Sequence, residues 1–413
     1  MTTSETPRPN RQAGLSAMEQ FLPNAGRAYA KSRNFDYGPD RRDDVSVLSP
    51  YVSHRLLLEA ELLERVLGSH SFGEAQKFIE EVYWRSYFKG WLEQHPDVWD
   101  NYQEALAACV ARLERHADDR ERYNQAVAGQ TGIDCFDAWI HELVATGYLH
   151  NHARMWFASI WVYTLDLPWQ LGADFFLRHL LDGDAASNTL GWRWVCGLHT
   201  RGKTYLARVS NIANFTNYRF NPRGQLATSA PPLSEDTIIR SRPLPAADAE
   251  PDANYGLLVT EDDCVPEVGL LERAPVAALG VTATNDRSVL PVSPLVYDFA
   301  RDAVGDALQR VAERWGCPVQ FAGDDDWAES VLTWCERESL DTVVTPWSPT
   351  GPAAARVERL AAALDANGIR LHRLRRGYDE AAWPYAGRGY FKLKRQIPEL
   401  LEGLGLEPLQ KTG

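Results

Sequence analysis

The chain is poor in cysteine, in long apolar runs and in glycine-rich loops, and each shortage excludes a class of protein. Its six cysteines (Cys109, Cys135, Cys196, Cys264, Cys317, Cys335) form no C-x-x-C pair and no metal-ligand spacing, so reduced, buried thiols are the expected state and structural zinc is not indicated. No segment reaches the roughly 18 uninterrupted apolar residues of a membrane span, and the opening MTTSETPRPNRQ lacks the apolar core of a signal peptide. A soluble, cytoplasmic protein without membrane or metal is expected. Neither G-x-G-x-x-G nor a Walker A loop occurs, which removes the best signal for ordinary dinucleotide or triphosphate binding. Basic charge is also in short supply: a net charge of −13 argues against a general polyanion binder, because non-specific DNA affinity is mostly phosphate neutralisation.

What the chain does have is enough length and enough apolar residues for more than one core. Its 413 residues, 45% of them hydrophobic, suit two or three domains of about 100–200 residues each. Charge divides unevenly along it. Residues 1–245 hold 26 basic and 29 acidic side chains, net −3, and residues 246–413 hold 17 and 27, net −10. Residues 201–245 run against the trend, with seven basic and two acidic side chains, a local strip suited to phosphates.

Nine of the fourteen tryptophans lie between Trp84 and Trp194, in segments whose apolar residues recur at helical spacing. Ser71 and Glu74 have capping-box spacing and predict a helix through AQKFIEEVYWRSYFKGWLEQ to a stop at His95-Pro96, with Phe78, Val82 and Trp91 on its core side. GYLHNHARMWFASIWVYTL, closed by Pro168, predicts a second helix and WQLGADFFLRHLLDG a third. Prolines 222, 231, 232, 243, 245 and 251 then mark an interdomain linker. Beyond it the short apolar runs GLLVT, VAALGVT, PVQF, DTVVTPW and IRLHRL alternate with amphipathic helices, the pattern of a parallel α/β domain. The expected fold is a helical domain over residues 15–245 followed by a Rossmann-like parallel α/β domain over 252–375, with a helical tail, 376–413, returning to the first domain.

The most specific stretch is LLDGDAASNTLGWRW, residues 180–194, preceded by HNHARM, residues 150–155. With YAKSRNFD (29–36), VSVLSP (45–50), EEVYWRSYF (80–88), GQTGIDCFDA (129–138) and DLPWQLG (166–172), these resemble the DNA photolyase and cryptochrome family in its own motif order, through most of residues 25–222. The helical half resembles that family's FAD-binding domain. The α/β half looks like its other domain, which in the family precedes the helical one and here follows it.

Each motif has a plain alternative. Ser46 and Ser49 offer hydroxyls beside backbone N–H groups, which suits either a phosphate or an ordinary helix cap. Asp182 and Asp184, two apart after a helix with Asn188 a turn later, suit carboxylates aimed at a ring or a solvated turn. The resemblance implies FAD held by Tyr29, Ser46, Val47, Leu48, Ser49, Arg85, Arg154, Asp182, Gly183, Asp184 and Asn188, with Asp182 paired to Arg154. Asn188 would face the flavin nitrogen that takes up a proton on reduction, and an amide there cannot supply that proton. A second, antenna chromophore is not identified.

Trp192 and Trp169 resemble the inner two members of the family's electron-carrying tryptophan chain, while Ala126 stands where the outer tryptophan belongs, leaving Tyr123, Trp139 or another aromatic to replace it. Glu81, Trp84, Asn151, Met155 and Trp194 occupy the positions that contact a flipped pyrimidine dimer, and Arg33, Arg85 and Arg154 join Glu81, Trp84 and Asn151 as DNA-contacting residues. Met155 matches the cyclobutane-dimer type. Equally, Lys77, Glu81 and Arg85 form an i,i+4 charge ladder of the kind found on solvated helix faces. Two departures count against repair: Asn211-Ile212-Ala213-Asn214 lacks the proline of the family's lesion loop, and Val45 replaces the first threonine of the flavin loop. The implied activity is light-driven cleavage of cyclobutane pyrimidine dimers in DNA. The alternatives are a cryptochrome-like photoreceptor acting on an unidentified signalling partner and a light-independent flavoprotein with a small-molecule substrate.

Overall fold

The computed structural model describes residues 6–235 and 237–406; the last residues assigned above to the tail, 407–413, lie outside them. Helices fill residues 11–215. The longest, Phe72–Gln94, starts as its sequence dictates: Glu74 reaches back to accept from the Ser71 backbone N–H at 3.3 Å, and Pro96 follows its end. Phe78 and Val82 are buried and Trp91 is packed against the core. The second predicted helix starts later than its periodicity suggested. Gly147, at φ 66°, instead caps the preceding helix Asp134–Thr146 by bonding Leu143 O at 2.9 Å, a left-handed position that favours glycine. The helix proper is Asn151–Ser159 and widens into a π-turn, Ile160–Thr164. The third helix, Trp169–His179, stops short of the predicted Leu180-Leu181 because the chain there turns extended and Leu181 N–H bonds Gly147 O at 2.9 Å.

Five parallel strands follow: β1 (Gly256–Val259), β2 (Ala277–Val281), β3 (Val319–Gly323), β4 (Thr342–Pro346) and β5 (Arg370–Leu374), in the order β3-β2-β1-β4-β5. All five coincide with the apolar runs, and the helices Pro294–Trp315, Trp327–Glu338 and Pro352–Ala366 supply crossovers. Strands β1, β2 and β4 are buried along their whole length, as a sheet covered on both faces requires. The order reverses beside β1, so the carboxyl ends of β1 and β4 form the crevice where doubly wound sheets present their loops. Here that crevice faces the helical half: Glu261 O meets His54 Nδ1 at 2.8 Å, and Thr350 N–H bonds Glu93 at 2.5 Å.

The proline-rich connection is extended and strapped along the surface, with Leu233 N–H on Cys196 O at 3.0 Å, Arg242 N–H on Gln94 O at 2.7 Å and Asp248 N–H on Arg373 O at 2.9 Å. Past β5, Gly377–Ala382 and Tyr390–Gly403 fold back on the Phe72–Gln94 helix. Tyr390 stacks on Trp84 with ring centroids 3.7 Å apart and planes 12° apart, its hydroxyl bonds Glu80 O at 2.8 Å, and Lys394 pairs with Glu80 at 2.9 Å. A buried charge network joins all three regions. Arg55 (2% exposed) contacts Glu59 and Asp263 at 3.4 Å each and Asp379 at 2.5 Å, and Arg376 clasps Asp263 at 2.6 and 2.8 Å. The six cysteines are free thiols.

Candidate functional site

The Ser46–Ser49 loop is held in an unusual shape. Val47 has φ 50°, a left-handed conformation that costs a β-branched residue on the order of 1–3 kcal/mol. The turn places Ser46 Oγ 3.4 Å from Leu48 N and leads into the short Ser49–Ser53 helix. Alternating left- and right-handed residues, as at Val47 and Leu48, turn successive backbone N–H groups toward one point, a concavity suited to an anion.

Beside this loop stand the paired charges. Arg154 Nη2 lies 2.9 Å from Asp182 Oδ2, and its Nε bonds Leu149 O at 2.8 Å. Burial pushes the Asp182 carboxyl up, but the Arg154 guanidinium, together with Ser49 and Arg85, more than offsets this and holds it below the usual carboxylate range. Asp184 caps its helix by accepting from Ser187 N–H at 2.7 Å and meets Arg85 at 3.3 Å and Lys89 at 3.6 Å. Those two cations again outweigh burial and keep its pKa low. Between the two aspartates, Gly183 has no room for a side chain, since a Cβ would sit 2.8 Å from Arg287 Nη1 and 3.0 Å from Leu180 O. Asn188 donates its Nδ2 to Ala173 O at 2.8 Å, which leaves Oδ1 as its remaining polar end.

Glu81 takes a bond from Tyr29 OH and pairs with Arg33 at 3.3 Å. Its side chain is 38% exposed, yet burial raises its pKa against the opposing pull of Tyr29 and Arg33. The i,i+4 ladder is not formed, because Lys77 pairs with Glu80 at 3.6 Å while Glu81 and Arg85 turn to separate partners. A string of contacts crosses from Glu81 through Arg33 to Asn34 Oδ1 (2.6 Å), then from Asn34 O to His152 (3.0 Å) and on to Tyr205 OH (3.3 Å), whose ring lies 5.7 Å from Trp194. Met155 and Trp194 are half-buried and Asn151 is exposed. Trp84 is drawn away from this group, one face against Tyr390. Trp192 is buried against Phe176, Phe157 and Trp161, whereas Trp169 stacks on Tyr102.

Sequence reasoning missed Lys89 and Ser53. Lys89 is 4% exposed and holds Asp184, and Ser53 Oγ accepts from Arg85 at 2.7 Å and donates to Asp182 O at 3.1 Å. Lys89 was detectable, because residues 81, 85 and 89 fall on one helix face. Lys89, Ser53 and Asp184 also border a polar cavity of about 40 Å³ closed by Asp262, Arg287 and Thr350 from the α/β half. Of the seven basic residues in 201–245, Arg219 pairs with Asp36 and Arg242 with Asp97. Arg201, Lys203 and Arg208, exposed on the segment that carries Tyr205, have no ion pair among the described residues. Among those residues there is also no His/Cys/Asp/Glu group able to hold a metal, and no helix long and apolar enough to cross a membrane.

The donor set fits a ligand with an anionic stretch and a polar ring edge. Arg85 Nε is buried without a hydrogen-bond partner, the Val47 turn is a preformed concavity, and the paired carboxylates lie beside both. Comparison with known proteins identifies that ligand. Residues 78–229, within the helical half, match the family described as FAD binding domain of DNA photolyase. Over 224 residues the chain is 34% identical to a deoxyribodipyrimidine photo-lyase of Thermus thermophilus, covering 53% of this chain and 50% of that protein. Over 206 residues it is 29% identical to the Vibrio cholerae photo-lyase, covering 48% and 43%. A class III photolyase structure from Agrobacterium tumefaciens aligns over 50% of this chain and 43% of its own, with 24% identity and a TM-score of 0.42. The chain thus spans half or less of these relatives. Its helical half is thus similar to the FAD-binding domain of DNA photolyases, which supports FAD as its cofactor.

Proposed function

We propose that this protein is a light-driven DNA repair flavoprotein that splits cyclobutane pyrimidine dimers, with residues 15–245 as flavin domain, 252–375 as an α/β domain carried after it in reverse of the family's order, and 376–413 as a tail. When bound, reduced FAD supplies the electron that opens the dimer and takes it back afterwards. The chain's own residues have separable tasks in this reading. Ser46, Ser49 and the Val47–Leu48 amides receive phosphate oxygens, with Arg85 as counter-charge. Arg154 and Asp182 hold the ring edge, Tyr29 and Gly183 border it, and Asp184 fixes Arg85 and Lys89. Asn188, its nitrogen bound to Ala173 O, presents an oxygen that withholds rather than gives a proton. Glu81 meets the polar edge of the dimer, Met155 and Trp194 pack against it, and Arg33 and Asn151 stand at the mouth.

The observation that carries the proposal is the set of exposed cations without an ion pair among the described residues, Arg201, Lys203 and Arg208, on the segment beside Trp194, since a basic rim is needed for DNA and for neither rival. The test is repair of a dimer-bearing single strand by FAD-loaded, reduced and illuminated protein, because single strands remove the unstacking cost. With about three phosphate contacts and a single-strand slope near −0.7 per contact, binding should weaken roughly twentyfold between 50 and 200 mM salt. Glu81→Gln should lower repair by roughly tenfold to a hundredfold, the value of a charge-assisted hydrogen bond, with flavin content unchanged. Intact dimers in single and double strands at low salt would refute the repair reading. One observation favours a photoreceptor instead: Tyr390 covers a face of Trp84, where the repair reading needs an open wall.

A further inference from the structure

Ala126 stands where the resemblance places the outer tryptophan of an electron path to the flavin. The aromatic rings of the helical half offer a second route. Trp161 sits in the π-turn Ile160–Thr164, fully buried, with Leu165 N–H bonding Ile160 O at 2.9 Å across the widened turn. Such single π-turns inside helices recur at functional positions, because the extra residue rotates a side chain out of the regular helical register. The rotated indole lies edge-on to Trp192, with centroids 6.3 Å apart and planes at 87°. Both indoles lie over Gly172: a Cβ there would be 2.3 Å from Trp192 Cη2 and 2.9 Å from Trp161 Nε1. Any other residue would drive the pair apart. Trp169, by contrast, stacks on Tyr102 at 5.6 Å, and no ring contact joins it to Trp192 among the described residues.

The route continues outward. Tyr123 lies edge-on to Trp161 at 6.2 Å and 83°. It is on the Ala117–Val127 helix, three residues before Ala126 and therefore on a neighbouring face. Tyr123 OH accepts from Arg178 Nη2 at 3.0 Å, Arg178 being held by Asp174 at 2.7 Å, and the phenol is 7% exposed.

We propose that Trp161 and Tyr123 carry electrons to Trp192 in this protein, in place of the missing outer tryptophan. The proposal rests on the reading of Trp192 as the residue that donates to photoexcited flavin. Trp192 gives one electron to the flavin, Trp161 gives one to Trp192, and Tyr123 gives one to Trp161. Trp161 keeps its indole proton throughout, since Nε1–H is bonded at 2.9 Å to Pro168 O, a peptide carbonyl and a poor base. Its hole therefore passes on as charge alone. Tyr123 ends the chain because the Arg178 cation disfavours a protonated, oxidised phenol. The oxidised phenol, a strong acid, gives its proton up to solvent, and a thiol in solution returns a hydrogen atom, becoming a thiyl radical. Electrons and protons then balance: one of each leaves the thiol, and the electron reaches the flavin.

The test uses the full chain loaded with FAD, illuminated in blue light with a thiol. Trp161→Phe should slow flavin photoreduction about tenfold, equivalent to about 1.4 kcal/mol of effective barrier, with flavin content and circular dichroism unchanged. Trp161→Tyr loses the same indole but remains oxidisable, so it should restore most of the rate, which a purely structural role would not allow. Tyr123→Phe should remove the tyrosyl radical seen by electron paramagnetic resonance after a flash in the parent, and Trp169→Phe should keep most of the parent rate. If Trp192→Phe is slow while Trp161→Phe reduces at the parent rate and Trp169→Phe does not, the route through Trp161 is overturned. If Trp192→Phe itself reduces normally, the reading of Trp192 fails first. Equal slowing in Trp161→Phe and Trp161→Tyr would assign the residue to packing and overturn its role as a carrier.

Discussion

Replacing Arg55 by methionine tests whether one buried cation holds the two halves of the chain together. Arg55, Glu59, Asp263 and Asp379 are each 1–3% exposed, and with Arg376 they make a cluster of two cations and three carboxylates, formally −1. Methionine fills much of the arginine stem's volume and leaves the cluster at −2. The backbone strain at Arg55, φ 48°, is common to both proteins and cancels. Removing one partner of a buried ion pair costs about 3–5 kcal/mol, because the remaining charge stays buried uncompensated, and we expect a loss in that range from urea unfolding at neutral pH. Asp379→Asn makes the informative contrast. It takes the cluster to neutrality, keeps an oxygen for Arg55, and should change stability by no more than about 1 kcal/mol.

The pH dependence separates the two acids. Burial raises Asp263, but Arg376 and Arg55 more than offset it, so its folded pKa lies below the unfolded value. Its stabilisation is complete above the ordinary carboxylate range and is lost as pH falls through the lowered folded value. Asp379 is raised by burial and by Glu59 despite Arg55. Its ionised form burdens the fold at neutral pH, and proton uptake on acidification relieves it. The stability difference between Asp379→Asn and the parent should therefore shrink as pH falls through the raised folded pKa of Asp379. An Arg55→Met protein within about 1 kcal/mol of the parent would refute the reasoning, since no buried pair could then have been broken.

Asp182→Asn should weaken FAD binding by roughly tenfold to a hundredfold through loss of the charge-assisted bond to Arg154, read by flavin titration of the apo-protein. Because the Asp182 pKa is lowered, the parent's affinity should persist as pH falls to the ordinary carboxylate range and drop only below it. Tyr390→Ala should expose the face of Trp84, read as greater acrylamide quenching of tryptophan fluorescence, and cost on the order of 3–5 kcal/mol as a large buried ring is lost. Tyr390→Phe should cost only about 1 kcal/mol, for the hydroxyl bond to Glu80 O.

The strands were legible because the central ones, covered on both faces, need continuous apolar runs, and each of the five runs became a strand. The Arg154–Asp182 pair was legible only through motif order, since residues 154 and 182 share no helical or strand period. The helix expected from Gly147 was misplaced because local periodicity does not reveal that a left-handed glycine ends the preceding helix. Tertiary partners were hidden altogether. Nothing near Trp84 in the sequence announces Tyr390, and Arg55, an unremarkable residue after the Ser46–Ser49 loop, is buried by carboxylates from β1's end and from the returning tail. Trp161 was one apolar residue among many until the π-turn and Gly172 set it against Trp192.

The return of the Tyr390–Gly403 helix to the Phe72–Gln94 helix also sets a timetable for biosynthesis. The bond from Tyr390 OH to Glu80 O spans 310 residues, so at about 5–20 residues per second the early helix waits roughly 15 to 60 s on the ribosome for its cover. During that interval Tyr83, Trp84 and Tyr87, whose rings meet Tyr378 or Tyr390 in the finished fold, form an aromatic face that the nascent chain cannot yet hide. A message truncated anywhere before Gly377 would leave the face open permanently, and such chains would be marked for chaperones and proteases by the same surface that the returning helix closes.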